Sequence, residues 1–407
     1  MTTTILVIFS LVYLGMILGG LPFVQLNRTG VALLGAIAVI ATDSLSVEEA
    51  ARSVHLPTLL LLFSFMVVSA QLRLAGFYDR VALKLETLRA TPPTLLAALI
   101  VVSGLLSAVF SNDIVCLAVA PVLVEVCQRR RLAPVPFLLA LACAANIGSA
   151  LTLIGNPQNM LIGQQLQMPF ASYMAEAVLP VAVGLLLTWG LVVLSMRGRW
   201  QSANAGAFTP PASAAEPRRW QTVKGLVVAL AILLAFLFTP WPREVIALTG
   251  AGVLLLSRRM HSSDMLGMLD WELLVLFMGL FVVNAALQHT GIPTRLVIDA
   301  ARSGIQLDQP GPMFGAAFLL SNIVSNVPAV MLLLPMATHP LDGSLLALVS
   351  TFAGNLFIVG SIANIIVVDA ARRRGLHIDW RQHAALGVPV TVSTLAVVGL
   401  YLHWRLS

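Results

Sequence analysis

Apolar residues occur along this chain in blocks long enough to cross a membrane, which takes about 20 consecutive apolar residues in a helix. Such blocks, some a little shorter, lie near 4–26, 29–42, 56–72, 173–196, 223–239, 244–257, 270–288 and 384–402. Each predicts a spanning helix. Four other apolar regions are interrupted. The stretch 94–127 is broken by Ser111-Asn112-Asp113 and the stretch 312–338 by Ser325-Asn326 and Pro328, while 136–166 and 344–368 carry clusters around Gly155-Asn156-Pro157 and Gly360-Ser361. A backbone group left unpaired in hydrocarbon costs several kcal/mol, so a polar break at membrane depth implies a protein-lined cavity. The first pair reads as helical hairpins that enter and leave by one side, and the second pair as helices broken by a polar cluster.

The blocks recur. Arg28, Gly35, Val67-Val68 and Gly76 reappear at one constant offset as Arg243, Gly250, Val282-Val283 and Gly291, and an offset one shorter carries Ser111-Asn112 and Pro121 onto Ser325-Asn326 and Pro335. Further on, Asn146 and Gly155 through Asn159 face Asn355 and Gly360 through Asn364. The Ala-, Ser- and Pro-rich stretch Ser202 to Pro217 lies between the two copies. The expected organisation is a first repeat over 1–200, a cytoplasmic linker over 201–222 and a second repeat over 223–407. Five full spans per repeat, an odd number, would turn the second repeat upside down. The fold class is thus an all-α polytopic membrane protein of two inverted repeats, with about ten transmembrane helices, two re-entrant hairpins and two unwound helices.

Composition agrees: of 407 residues, 58% are hydrophobic and 10% charged, against roughly 25% charged in soluble proteins. A water-soluble globule is excluded, and the surface must face lipid. Only Lys84 and Lys224 are lysines and neither sits in a basic run, which argues against nucleic-acid binding. Cys116, Cys127 and Cys143 lie in apolar runs without pairing or metal-ligand spacing. The apolar run Ile5 to Val24 is longer than the roughly 7–15 residues of a signal-peptide core, so it reads as a retained helix. Basic residues favour the cytoplasmic side. An external amino terminus places Arg28, the 73–92 loop, Arg129-Arg130-Arg131, the linker, Arg258-Arg259 and the 371–383 loop inside, leaving Arg52, Arg243, Arg295, Arg302 and Arg405 outside. The setting is a bacterial-type inner membrane.

Inverted repeats with broken helices are the construction of secondary transporters, in which half-helix ends and freed backbone groups meet a small-molecule or ion substrate near the midplane. Ser, Asn and Gly also serve close helix packing; their recurrence at equivalent places favours a site. The candidate binding residues are Ser111, Asn112, Asp113, Asn146, Gly155, Asn156, Asn159, Ser325, Asn326, Asn355, Gly360, Ser361 and Asn364. Asp113 is the one acidic residue expected deep in a span, where insertion costs roughly 2.5–3.5 kcal/mol. It is the candidate coupling group for a proton. The competing view makes it a neutral carboxyl hydrogen-bonded to the hairpin backbone. The seven histidines fall at predicted span ends or in loops, and Cys116 and Cys143 read as small buried residues. No HExxH, Gly-x-Ser-x-Gly or GxxxxGK[ST] sequence is present, so no enzyme, cofactor or metal is expected. Transport would draw on a coupling H⁺ or Na⁺, or on a partner's ATP hydrolysis.

Ser111-Asn112-Asp113 with Pro121, the run IGNPQNMLIG from Ile154 to Gly163, Ser325-Asn326-Val327-Pro328 with Pro335, and GNLFIVGSIAN from Gly354 to Asn364 resemble the ion transporter superfamily, in particular its arsenite-pump, D-type sodium/proton antiporter and citrate-transporter-like branch. The resemblance spans nearly the whole chain. It implies that the Ser-Asn breaks are the tips of an inner and an outer hairpin, that the Gly clusters are the unwound centres of two crossing helices, and that the protein is a homodimer with a scaffold and a moving part. The dicarboxylate carriers have Ser-Asn-Thr at both tips, where this chain has Asp113 and Val327, and no Lys or Arg is expected deep in a span. The arsenite-pump pattern of an Asn-Asp tip followed by Pro fits better. The expected cargo is a small weak acid such as As(OH)₃ or its antimony analogue, exchanged for protons. Sodium/proton antiport, citrate or dicarboxylate transport, a channel, and a membrane subunit driven by a soluble ATPase stay open.

Overall fold

A computed structural model describes residues 1–21, 24–201, 218–257 and 259–406. Most of the expected linker, and Arg258 with it, lies outside the described residues. The chain folds as α1 (Thr2–Leu18), α2 (Arg28–Ala41), α3 (Val47–Ser53), α4 (Leu56–Leu74), α5 (Phe77–Thr87), α6 (Pro92–Phe110), α7 (Asn112–Arg129), α8 (Pro134–Ser149), α9 (Pro157–Gln165) and α10 (Phe170–Ser195). After the linker come α11 (Arg219–Phe238), α12 (Arg243–Leu255), α13 (Ser262–Leu266), α14 (Trp271–His289), α15 (Ile292–Arg302), α16 (Pro310–Val324), α17 (Asn326–Leu333), α18 (Asp342–Ala353), α19 (Ile362–Arg372) and α20 (Trp380–Leu406). Between α1 and α2, β1 (Gly20–Leu21) pairs antiparallel with β2 (Leu26–Asn27). This small ladder was not foreseen, because the run expected to 26 stops as helix at the left-handed Gly19.

The second ten helices follow the first ten in order and kind, and their contacts correspond. Helix α2 packs on α14 as α12 packs on α4, α6 on α8 as α16 on α18, and α7 and α8 touch α19 as α17 and α18 touch α9. The joints correspond too. Gly76 and Gly291 both adopt the left-handed conformation, at φ 70° and 68°, between the long helices α4 and α14 and the short α5 and α15; glycine reaches that region without a Cβ penalty. Prolines at the first turns of α4, α6, α8, α9 and α16 fix φ where an N–H would be unpaired anyway.

Among the described residues six helices, α4, α6, α10, α11, α14 and α20, are long and apolar enough to cross a membrane alone. The shorter α8–α9 and α18–α19 reach comparable length in pairs. Helix α4 is mostly buried and α8 almost wholly so, whereas α10 and α11 leave most of their apolar surface uncovered, as a lipid-facing helix requires. Helices α6 and α8 meet at bare backbone: a Cβ on Gly148 would lie 2.3 Å from the Gly104 Cα. This is the small-residue crossing that membrane helices use for close approach.

Polar contacts between loops fall into two groups. At one end Glu125 pairs with Arg374 at 2.8 Å, Asn27 donates to Glu272 at 2.8 Å and Arg218 donates to the Arg259 carbonyl at 3.1 Å. At the other, Arg243 donates to the Gly163 carbonyl at 2.8 Å, Gln164 to Glu244 at 3.1 Å and Arg405 to Glu176 at 3.3 Å.

Candidate functional site

The polar breaks come together in space. Ser111 alone joins α6 to α7, and Ser325 alone joins α16 to α17; both have positive φ. Non-helical residues 150–156 separate α8 from α9, and residues 354–361, with one 3₁₀ turn at Ile358–Gly360, separate α18 from α19. The first residues of α7, α9, α17 and α19 are therefore Asn112, Pro157, Asn326 and Ile362. All four line one cavity of about 50 Å³, with Asp113, Gln158, Ser325, Ser361 and Arg28. Four helix N-termini converge, each with a partial positive charge.

A second cavity, of about 120 Å³, lies against the first and shares Asp113, Pro157, Leu273 and Ile362 with it. Its remaining polar lining includes Ser111, Arg73 and Asp270, set among Phe65, Met66 and Leu117. Asp113 thus faces both spaces. Among the described residues no hydrogen bond or ion pair holds its carboxyl, so the expected alternative of a bond to the hairpin backbone is not what this arrangement contains.

Asn146 is the hub beneath the cavity. It accepts from Asn112 Nδ2 at 2.9 Å and from Ser361 Oγ at 2.9 Å, and it donates to Asn355 Oδ1 at 2.9 Å and Asn364 Oδ1 at 3.2 Å. Asn364 in turn donates to the carbonyls of Gly354 at 2.8 Å and Phe357 at 3.0 Å, groups freed by the unwinding. The Asn112 N–H reaches the Gly155 carbonyl of the other broken helix at 3.1 Å. Buried groups in low dielectric must be paired, so this network holds the hairpin tip and both unwound segments in register.

Asn156 and Asn159 serve a neighbouring set. Asn156 caps α9 by accepting from the Asn159 N–H at 2.9 Å and donates to Ser149 Oγ at 2.9 Å and Thr351 Oγ1 at 3.2 Å. Asn159 donates to the Thr152 carbonyl at 3.1 Å and to Tyr173 Oη at 3.2 Å. Both are wholly buried and away from the cavity wall, so the thirteen candidates do not form one ring. Gly155 and Gly360 are packing positions: a Cβ on Gly155 would lie 2.2 Å from the Ser149 carbonyl oxygen, and one on Gly360 would lie 3.1 Å from that of Gly354.

Three residues that line the cavity each carry a buried polar atom without a partner: Asn112 Oδ1, Asn326 Oδ1 and Arg28 Nε. Sequence reasoning placed Arg28 in a cytoplasmic loop and found no basic residue at the site. The structure places it in the first turn of α2, on the cavity wall. Its recurrence as Arg243 was the available signal. Arg73, Asp270, Gln158 and Thr351 were likewise missed. His383 departs from the other histidines in being 2% exposed, with Nε2 3.1 Å from the Asn355 carbonyl oxygen. The three cysteines are buried and free.

Comparison with known proteins identifies the family. The citrate transporter family profile matches residues 5–353. A 46 kDa membrane protein of Mycobacterium leprae is 29% identical over 406 residues, covering 94% of each chain. An uncharacterized transporter of Mycobacterium tuberculosis is 30% identical over 407 residues, again 94% of each. The silicon efflux transporter LSI3 of Oryza sativa is 29% identical over 469 residues, covering 96% of this chain and 95% of its own. With its polytopic all-α fold and a family match across most of its length, the chain belongs to the citrate transporter family, as a secondary transporter of small solutes or anions and not an enzyme.

Proposed function

We propose that the protein is a proton-coupled carrier for a small hydroxylated weak acid of the arsenite or antimonite kind, moved outward in exchange for protons at Asp113. The observation that carries this reading is the 50 Å³ cavity, where helix N-termini offer donors and Asn112 Oδ1 and Asn326 Oδ1 offer free acceptors. A hydroxide such as As(OH)₃ both donates and accepts, so it matches the two kinds of group together. A water occupies roughly 10–15 Å³ of such space, which gives the cavity room for about four; a tricarboxylate is far larger. The adjoining cavity carries Asp113 and Asp270 among apolar side chains, a poor setting for further carboxylates. The efflux of silicon named for the rice relative adds silicic acid, a hydroxide of the same class, to the candidates.

The two halves are read as inverted repeats about the cavity, with the Arg28, Arg73 and Asp270 end cytoplasmic and the amino terminus external. The hairpins α6–α7 and α16–α17 are read as re-entrant. Uptake into everted vesicles decides between cargoes: arsenite, antimonite, silicic acid, sodium and citrate, each with and without an imposed pH gradient. Accumulation of a hydroxide driven by the gradient supports the reading. Accumulation of citrate alone, or dependence on ATP and a co-purifying ATPase, overturns it.

A further inference from the structure

We propose that Arg28 is the cargo-selecting cation of this carrier, donating from a fixed framework to an oxygen of a small oxoacid held between the hairpin tips; this rests on the reading of the cavity as the transport site. Arg28 differs from the other polar lining groups in where it comes from. Asn112, Gln158, Asn326 and Ser361 stand on the hairpins and broken helices, whereas Arg28 stands on α2, which packs against α1 and α14. Its backbone is fixed there. The preceding Asn27 caps α2 by accepting from the Gly30 N–H at 2.9 Å and donates to Glu272 of α14 at 2.8 Å, so Glu272 is engaged by Asn27.

Arg28 thus lines the cavity together with the Asp113 carboxyl but, among the described residues, forms no ion pair with it, and its Nε is buried and unpartnered. A buried charged donor without an acceptor is costly, and a cargo oxygen would satisfy it. Two other lining side chains are unsatisfied in the complementary sense: Asn112 and Asn326 are 6% and 9% exposed, and the Oδ1 of each is buried without a partner. One oxygen accepting from Arg28 and two hydroxyls donating to these amides describes a partly protonated oxoacid with three or four oxygens. Neither a bare metal cation nor a sodium ion would seek the guanidinium.

The test uses purified full-length protein, wild type, Arg28→Gln and Arg28→Lys, with arsenite, silicic acid, citrate and sodium chloride as probes. Thermal unfolding in detergent reports binding, and proteoliposome uptake reports KM and maximal rate. Loss of one charge-assisted hydrogen bond corresponds to roughly a tenfold or greater rise in KM. The expected result is that rise in Arg28→Gln at near wild-type maximal rate, with part of the affinity restored in Arg28→Lys. The oxoacid probes should protect wild type from unfolding and fail to protect Arg28→Gln. Equal protection and equal KM in wild type and Arg28→Gln, for whichever probe binds, overturns the assignment to Arg28 alone. Citrate as the one protective probe overturns the hydroxide reading while the same comparison still judges Arg28. Protection by no probe, or by sodium only, overturns both. Loss of fold in Arg28→Gln with Arg28→Lys folded but unchanged in KM from wild type assigns the residue to structure and overturns the proposal.

Discussion

Ser111 and Ser325 hold the same rare backbone conformation, φ 61° and ψ 128° in one and φ 80° and ψ 159° in the other. Each is the single residue on which its hairpin turns. Backbone of this kind is adopted chiefly by glycine and costs about 1–3 kcal/mol in another residue. Glycine at either position should therefore raise the thermal unfolding temperature in detergent, and valine, stiff at χ1, should lower it by a similar free energy. Stability unchanged by glycine at both would mean that the seryl side chains recover the strain.

Asn146 links the inner hairpin to both unwound segments, and its removal should strand several buried amides at once. Asn146→Ala is expected to cost about 1–3 kcal/mol for each buried group left unpaired. Asn326→Ala removes an acceptor that the fold does not use and Asn112→Ala removes another together with its bond to Asn146, so Asn326→Ala should act mainly on transport at preserved expression and monodispersity, and Asn112→Ala on transport with a further cost of about 1 kcal/mol in stability. Vesicle uptake at wild-type rates by both alanine variants would make these side chains packing groups.

Asp113→Asn keeps size and some hydrogen bonding but cannot exchange a proton. Net transport driven by a pH gradient should vanish, while counterflow of labelled cargo between equal concentrations survives. Accumulation against a gradient by the variant, with unchanged pH dependence, would move the coupling elsewhere, with Glu125 and Asp369 next in line. Both of those are already ion-paired, with Arg374 and Arg373 at 2.8 and 2.7 Å.

Single cysteines in the 73–92 and 289–311 loops should label from opposite sides of the membrane, the first from the cytoplasm. The two loops carry the corresponding short helices α5 and α15. Labelling of both from one side would be incompatible with inverted halves.

Gly148→Ala tests the helix crossing. Its Cβ would meet backbone, 2.3 Å from the Gly104 carbonyl oxygen, which cannot rotate away. A cost of about 1–3 kcal/mol, typical of overpacking, is expected in thermal unfolding.

The helices were legible because a span must be apolar throughout: the runs 29–42, 56–72 and 270–288 became α2, α4 and α14 with ends shifted by two residues at most. The breaks at Ser111, Ser325, Gly155 and Gly360 were legible because hydrocarbon tolerates nothing else there. What periodicity cannot carry is which polar groups pair across the molecule. Nothing in the sequence separates Asn146, at the hub, from Asn159, tied to Tyr173, since both are asparagines beside an unwound segment. Arg28 was hidden for a related reason. At the end of a run a basic residue reads as an interfacial anchor, and only the packing of α2 on α14 turns it toward the cavity. Pro121 and Pro335 also match in sequence and part in structure: the first lies inside α7, and the second sits in the 3₁₀ turn that ends the shorter α17.

Arg243 begins α12 as Arg28 begins α2, yet one is latched and the other free. Arg243 grips the carbonyl of Gly163, the seventh residue of α9; the seventh residue of α19 is Val368, whose carbonyl is the target that Arg28 would find if the halves traded places. On the proposed inverted repeat, each copy would sketch the pose its twin takes when the molecule opens the other way. A cysteine pair at 163 and 243 should freeze the shape seen here, and a pair at 28 and 368 should capture its counterpart.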